Sequence, residues 1–385
     1  MHRLWDVCRY VPRLRDRDSI RELVDSRVKH MKKKYLCTGN EACGEGAMRA
    51  GCRFYAGYPI TPQNELTAYM SVRMDEVGGT FIQAESEVSA INMVFGASVA
   101  GARAMTSSSS PGISLKQEGI SYIAACELPV VIVNVMRGGP GLGNIMASQA
   151  DYFQATKGGG HGDYHLIVLA PASVQEMFDF TYEAFALADK YRNPVMILAD
   201  GTLGQMMEPL EFEENIPFSK GVSKPWALTG AKGRSAQHVK SLILGGKDET
   251  LEEHNLHLQE KYRKIIENEV RIETENVGGA EIILVAYGAM SRIGYSCVEA
   301  MREKGKKVGM MIPKTLWPFP YDEIRGIAEK NKHVKFLVVE MSSGQMVEDV
   351  RLAVQDDKRV FFYGRMGGGI PTEDAIAREI LKIAK

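Results

Sequence analysis

Three side chains could do chemistry together if the fold brought them to one place. Glu87 lies in Gln83-Ala-Glu-Ser-Glu-Val88, Thr61 in Gly57-Tyr-Pro-Ile-Thr-Pro62, and Arg137 heads Arg137-Gly-Gly-Pro-Gly-Leu-Gly143. Each phrase follows a short apolar run that reads as a buried strand. Parallel, neighbouring strands would open all three phrases at one sheet edge, where open α/β sheets bind ligands. Taken singly, each residue has a plainer role. Glu87, like Glu85, would sit at a helix start, where the dipole favours a carboxylate. Thr61 would cap a helix, Arg137 would be a solvated cation, and His161 an exposed loop histidine. Ser107–Ser110 lack the G-x-S-x-G frame of a nucleophile and read as a cap and turn. The glycine-rich run is not G-x-x-x-x-G-K-[ST], and Pro140 interrupts any G-x-G-x-x-G. It shapes a loop better than it holds a phosphate.

The elements that must position these residues alternate regularly. Arg53–Pro59, Thr80–Ala84, Ala102–Ser107 and Pro129–Met136 read as strands. Between them lie a helix with Thr61 as cap and Pro62 at its first position, a small-residue helix over Glu85–Gly101, and a helix over Ile113–Cys126. Leu166–Ala170 and Pro194–Ala199 are further strands, separated by a helix whose start is the capping box Ser173-Val-Gln-Glu176. This alternation predicts an α/β fold with a mostly parallel, doubly wound sheet over residues 31–219.

Residues 220–279 read as a connection, with a charged helix over Glu249–Glu273 bridging two domains. A second α/β domain is expected over 280–385. Its strands are Ile282–Tyr287, Lys307–Ile312, Phe336–Val339 and Val360–Tyr363, and Leu316–Pro320 is expected to be a rigid apolar loop. Residues 1–30 carry seven arginines among acids and no apolar core, so they suit neither a secretory signal nor a transit peptide. They are expected to be an N-terminal extension outside the fold, dispensable for folding, which would begin near Met31.

A formal net charge of −1 gives no reason to expect nucleic acid or an anionic membrane as partner. No apolar run approaches the roughly 18 residues of a membrane span. The six cysteines form no C-x-x-C pair, so zinc-ribbon and ferredoxin-type spacing is missing. Cys37, Cys43 and Cys52 read as buried or half-buried thiols of a protein in a reducing cytoplasm.

Four phrases together carry a resemblance. Tyr58-Pro-Ile-Thr-Pro62, Glu85-Ser-Glu-Val-Ser89, Thr106-Ser-Ser-Ser-Ser-Pro-Gly112 and Arg137-Gly-Gly-Pro-Gly141 closely resemble the α subunit of 2-oxoacid:ferredoxin oxidoreductases. They resemble the branched-chain (2-oxoisovalerate) type in particular, and the 2-oxoglutarate type nearly as well. The likeness covers residues 31–385 in order. It implies a thiamine diphosphate enzyme whose first domain is the pyrimidine-binding type and whose last domain is the transketolase C-terminal type.

Carried onto this chain, the resemblance places Glu87 at N1′ of the aminopyrimidine, with Tyr58, Pro59 and Ile60 beside the cofactor. A carboxyl there stabilises the imino tautomer whose 4′-nitrogen takes the thiazolium C2 proton. Thr61 and Arg137 would contact the 2-oxoacid, the guanidinium facing its carboxylate. The diphosphate and Mg²⁺ would lie on a β subunit, and the iron–sulfur clusters on that or a ferredoxin-like δ subunit, with a γ subunit completing the complex. Coenzyme A would take the acyl group and ferredoxin the electrons. The chain itself lacks a G-D-G…N metal–diphosphate signature. Other readings stay open: a pyruvate-type member, a subunit that passes the acyl group to lipoamide, and a non-enzymatic nucleotide-binding α/β protein.

Overall fold

The computed structural model describes residues 33–213, 222–245 and 249–385. The extension at 1–30 lies outside the described residues. The chain is first met in β1 (Lys33–Thr38). Thr38 then opens α1 (Gly39–Arg49) with a reciprocal capping box: its hydroxyl accepts from the Glu41 amide, and the Glu41 carboxylate accepts from its own N–H. Next come β2 (Phe54–Gly57), α2 (Asn64–Arg73), β3 (Thr80–Gln83), α3 (Glu87–Val99), β4 (Ala104–Ser108), α4 (Ser110–Ala125) and β5 (Val130–Met136). After a long loop follow α5 (Tyr152–Thr156), β6 (Ile167–Leu169), α6 (Val174–Tyr191), β7 (Val195–Asp200), α7 (Gly201–Gln205) and β8 (Met207–Phe212).

The second half holds α8 (Leu251–Glu269), β9 (Ile272–Glu275), β10 (Ile282–Val285), α9 (Ala289–Glu303), β11 (Val308–Pro313) and β12 (Thr315–Trp317). It ends with α10 (Tyr321–Lys330), β13 (Lys335–Glu340), α11 (Met346–Val354), β14 (Val360–Gly364) and α12 (Glu373–Ile383).

Two large sheets organise these elements. The first has the order β12-β6-β7-β5-β4-β2-β3 and is parallel except for β12. The second has the order β14-β13-β10-β11-β9 and is parallel except for β9. Central β5 is buried along its whole length, as a parallel strand covered by helices on both faces must be. In the first sheet β3 lies on one side of β2 and β4 on the other. The winding direction therefore reverses at β2, which leaves a crevice outside the carboxyl ends of β2 and β4. β1 and β8 form a separate antiparallel pair.

Three local expectations are corrected. The helix after β2 begins at Asn64, not at Pro62. Residues 60–63 close a turn of their own, with the Gln63 amide on the Ile60 carbonyl, and the Thr61 hydroxyl accepts from the Asn64 side chain rather than from a helix amide. Leu316 is not in a loop: residues 315–317 run antiparallel to β6 and extend the first sheet, with Leu316 buried, until Pro318 ends the ladder. The segment read as a connection also supplies β9 to the second sheet.

The two sheets are tied by buried polar groups. The Gln149 side chain donates to the Tyr287 carbonyl and accepts from the Met341 amide, while its own amide donates to the Met341 carbonyl. Asp349 accepts from the Tyr152 hydroxyl at 2.6 Å and pairs with Lys157. No described helix is long and apolar enough to cross a membrane.

Candidate active site

The crevice at the β2/β4 reversal collects the residues named from the sequence. Ser86 caps α3, its hydroxyl accepting from the Ser89 amide, which turns the next residue inward. Glu87 is 7% exposed, and no hydrogen bond from a described residue reaches its carboxylate. Glu85, two residues earlier, stands in solvent. Its carboxylate accepts from the Ser89 hydroxyl, which holds it below the usual carboxylate range. An alternation of two residues thus separates a solvated acid from a buried one.

The first turn of α4 lies directly on Glu87. A Cβ added to Gly112 would come within 2.7 Å of Glu87 Oε1 and 2.0 Å of Ser108 Oγ. Only glycine allows this approach. Beneath it runs a hydrogen-bonded net. Tyr55, fully buried on β2, places its hydroxyl 2.6 Å from Ser107 Oγ, and Ser107 donates to Gln63 Oε1 at 2.5 Å. Ser110 donates to Asp151 Oδ2 at 2.6 Å, and Asn134 donates to the same oxygen. Burial pushes the Asp151 carboxyl up, against the pull of these two bonds.

Arg137 leaves the end of β5 and is also 7% exposed. Its guanidinium donates to the Thr61 carbonyl and to the Leu142 carbonyl, both at 3.0 Å, and its buried Nε has no partner among the described residues. Two of the sequence-named residues are therefore joined directly. Tyr58 and Pro59 are exposed and Ile60 half-buried at the rim. The glycines of 138–143 shape the loop. Gly143, at φ +59°, packs so closely on Gly138 that a Cβ would sit 1.7 Å from its carbonyl oxygen. The loop reaches the second sheet through Asn144, which donates to the Gly367 carbonyl. His161 stays apart: it is exposed, edge-on to Tyr122 in the second half of α4.

Several buried polar atoms here have no described partner, among them the Ser108 and Ser109 hydroxyls and Asn134 Oδ1. Groups of this kind normally find one. A buried carboxylate with no hydrogen bond from the described residues fits the edge of a protonated or protonatable ring. The described residues hold no group of three or more His, Cys, Asp or Glu suited to a metal ion. Cys43 and Cys52 are buried, and burial pushes both thiols up to about 12.

Two groups in the site were not singled out from the sequence. Asp151 lies in the loop after β5 and gave no signal by itself. Lys116 did leave a signal: it stands four residues after Gly112 and four before Ile120, on the face of α4 that is buried.

Comparison with known proteins decides the family. Residues 45–276 match the family model described as pyruvate flavodoxin/ferredoxin oxidoreductase, thiamine diphosphate-binding. The chain belongs to this family. Residues 280–376 match the model for core domain II of pyruvate:ferredoxin oxidoreductase. The chain is 54% identical over 349 residues to ketoisovalerate oxidoreductase subunit VorB of Methanothermobacter marburgensis, an alignment covering 91% of this chain and 97% of that one. It is 39% identical over 377 residues to 2-oxoglutarate synthase subunit KorA of Methanothermobacter thermautotrophicus, covering 92% and 100%. Among solved structures it matches 2-oxoglutarate:ferredoxin oxidoreductase from Magnetococcus marinus, described with 2-oxoglutarate, coenzyme A and succinyl-CoA bound. The TM-score is 0.82 at 27% identity, over 92% of this chain and 66% of that one. A split-gene transketolase matches with a TM-score of 0.56 at 14% identity, a likeness of fold.

Proposed function

We propose that the chain is the α-type subunit of a thiamine-diphosphate-dependent 2-oxoacid:ferredoxin oxidoreductase that converts 2-oxoisovalerate and related branched 2-oxoacids to acyl-CoA and CO₂. The observation that carries this is the buried Glu87 carboxylate, which takes no hydrogen bond from the described residues and lies at the β2/β4 crevice of a chain whose family model is thiamine diphosphate-binding. The aminopyrimidine fits there, with Glu87 at its ring nitrogen and Tyr58–Ile60 at the rim. When bound, thiamine diphosphate supplies the electron sink for decarboxylation. The chain's own residues hold a proton and bind and orient the substrate. Glu87 holds or gives up a proton at the ring edge. Thr61 and Arg137, already in contact, bind and orient the 2-oxoacid, with the guanidinium turned from backbone carbonyls to the substrate carboxylate.

A β subunit would supply the diphosphate and Mg²⁺ site. Iron–sulfur clusters would sit on that or a δ subunit, beside a γ subunit, with coenzyme A and ferredoxin as the other reactants. The branched-chain choice rests on the higher identity to VorB than to KorA. The test is the coenzyme A-dependent reduction of ferredoxin or a viologen by the co-purified complex. A kcat/KM for 2-oxoisovalerate above those for 2-oxoglutarate and pyruvate is expected. A reversed order overturns the substrate, and turnover by this chain alone overturns the shared site.

A further inference from the structure

Glu87 is a buried acid, and such a charge is costly unless something offsets it. Of the charged side chains around it, Arg137 is turned to the carbonyls of Thr61 and Leu142, and Asp151 is of like sign. Lys116 is left. It is fully buried on α4, one turn beyond the Gly112 that touches Glu87. Its Nζ donates to Thr106 Oγ1 and to the Ser107 carbonyl, both on β4. An ammonium has three protons to donate, and β4 takes two. Among the titratable groups in this net, Glu87 comes from α3, Tyr55 reaches Ser107 from β2, and Asp151 meets α4 through Ser110.

We propose that Lys116 is the resident counter-ion of Glu87, a positioning residue that sets how readily the Glu87 carboxyl holds a proton. This rests on the reading of Glu87 as the pyrimidine-facing acid for its meaning, but not for its test. Burial pushes the Lys116 amine down to about 7, with Glu87 pulling it back up. A charged Lys116 favours the Glu87 carboxylate over the acid. No substrate contact is needed. The lysine acts through the acid, by a charge placed behind it rather than in front.

The experiment is infrared difference spectroscopy on the full chain without thiamine diphosphate, with Glu87→Gln as the spectrum that isolates the Glu87 carboxyl band. Lys116→Met keeps a long unbranched side chain and removes the charge. In it the pH at which this band converts from acid to carboxylate should move up by about one unit or more, as loss of an adjacent opposite charge does. Lys116→Arg, which keeps the charge, should hold the conversion near the wild-type pH. An unmoved band in a folded Lys116→Met chain overturns the proposal. If that variant does not fold, Lys116→Gln is read in the same way, and failure of both to fold makes the lysine structural and ends the proposal. Binding of thiamine diphosphate is measured separately: its absence with a shifted band breaks the cofactor reading and leaves the Lys116–Glu87 coupling standing.

Discussion

The carboxyl ends of the two large sheets treat buried carboxylates in opposite ways. At the second sheet, Glu340 ends β13 fully buried and accepts from the amides of Gln345, Met346 and Val347 and from the Ser342 hydroxyl. Asp200, where the first sheet meets the second, accepts from the amides of Leu203 and Ala289. Burial raises both carboxyls while these bonds pull them down. Glu87 is buried to a similar degree and has no such bonds from the described residues. A carboxylate whose two oxygens already accept from backbone amides holds loops in place. One without such bonds has its bonding capacity in reserve, which is the condition for meeting a ligand.

The comparison breaks most visibly at Glu87 itself. Glu87→Gln should lower turnover of the complex by about 10²–10⁴-fold, the usual cost of losing an acid–base group, while its unfolding midpoint stays near wild type. A midpoint drop as large as the activity loss would make Glu87 another structural acid. Glu340→Ala should do the reverse. It strands three amides that Glu340 now satisfies, and a loss of more than about 2 kcal/mol in chemical denaturation is expected. Unchanged stability would show that water replaces the carboxylate there and would erase the contrast.

How much of this contrast was legible in the sequence depends on range. The alternation of strands and helices, the sheet edge and the three phrases on it follow from local pattern, and the structure places them together. The residues alone gave Glu85 and Glu87 the same role; the resemblance chose Glu87, and the structure adds the Ser86 cap that turns it inward. What could not be read is what depends on partners distant in sequence. The Asn64 start of α2 follows from a turn that faces Arg137, and β12 joins a sheet formed far upstream. Glu340 looks like any strand-end acid until the amides of α11 fold over it. Lys116 was visible as a lysine on a buried helix face, but only Thr106 and Ser107 explain how it is tolerated.

Arg137 tests the comparison from the substrate side. Arg137→Ala should raise KM for the 2-oxoacid by on the order of 10–100-fold, as loss of a hydrogen-bonded charge does, with a smaller change in kcat. Arg137→Lys should recover little, because an ammonium cannot reproduce the fork that now spans Thr61 and Leu142. An unchanged KM in the alanine variant would confine the arginine to loop support.

A smaller effect is expected in the pH dependence of stability. Lys116 titrates near 7 when folded and near 10.5 when unfolded. Between those values the unfolded chain binds more protons, so the lysine's contribution makes stability rise with pH over that interval and levels off above it. The stability of wild type minus that of Lys116→Met should therefore climb from pH 7 towards pH 10 in parallel denaturation curves. A flat difference would mean that the amine keeps its ordinary affinity for protons despite its burial.

The smallest effect sharpens the comparison most. Glu85 and Glu87 share a helix start, a charge and a neighbour, Ser86, and differ only in the direction the chain gives them. Glu85→Gln loses one bond to Ser89 in solvent. Its melting temperature, cofactor affinity and turnover should match wild type within error. If Glu85→Gln were the variant that lost thiamine diphosphate, direction and burial would not be what selects the working acid. The open carboxylate of Glu87 would then need another explanation.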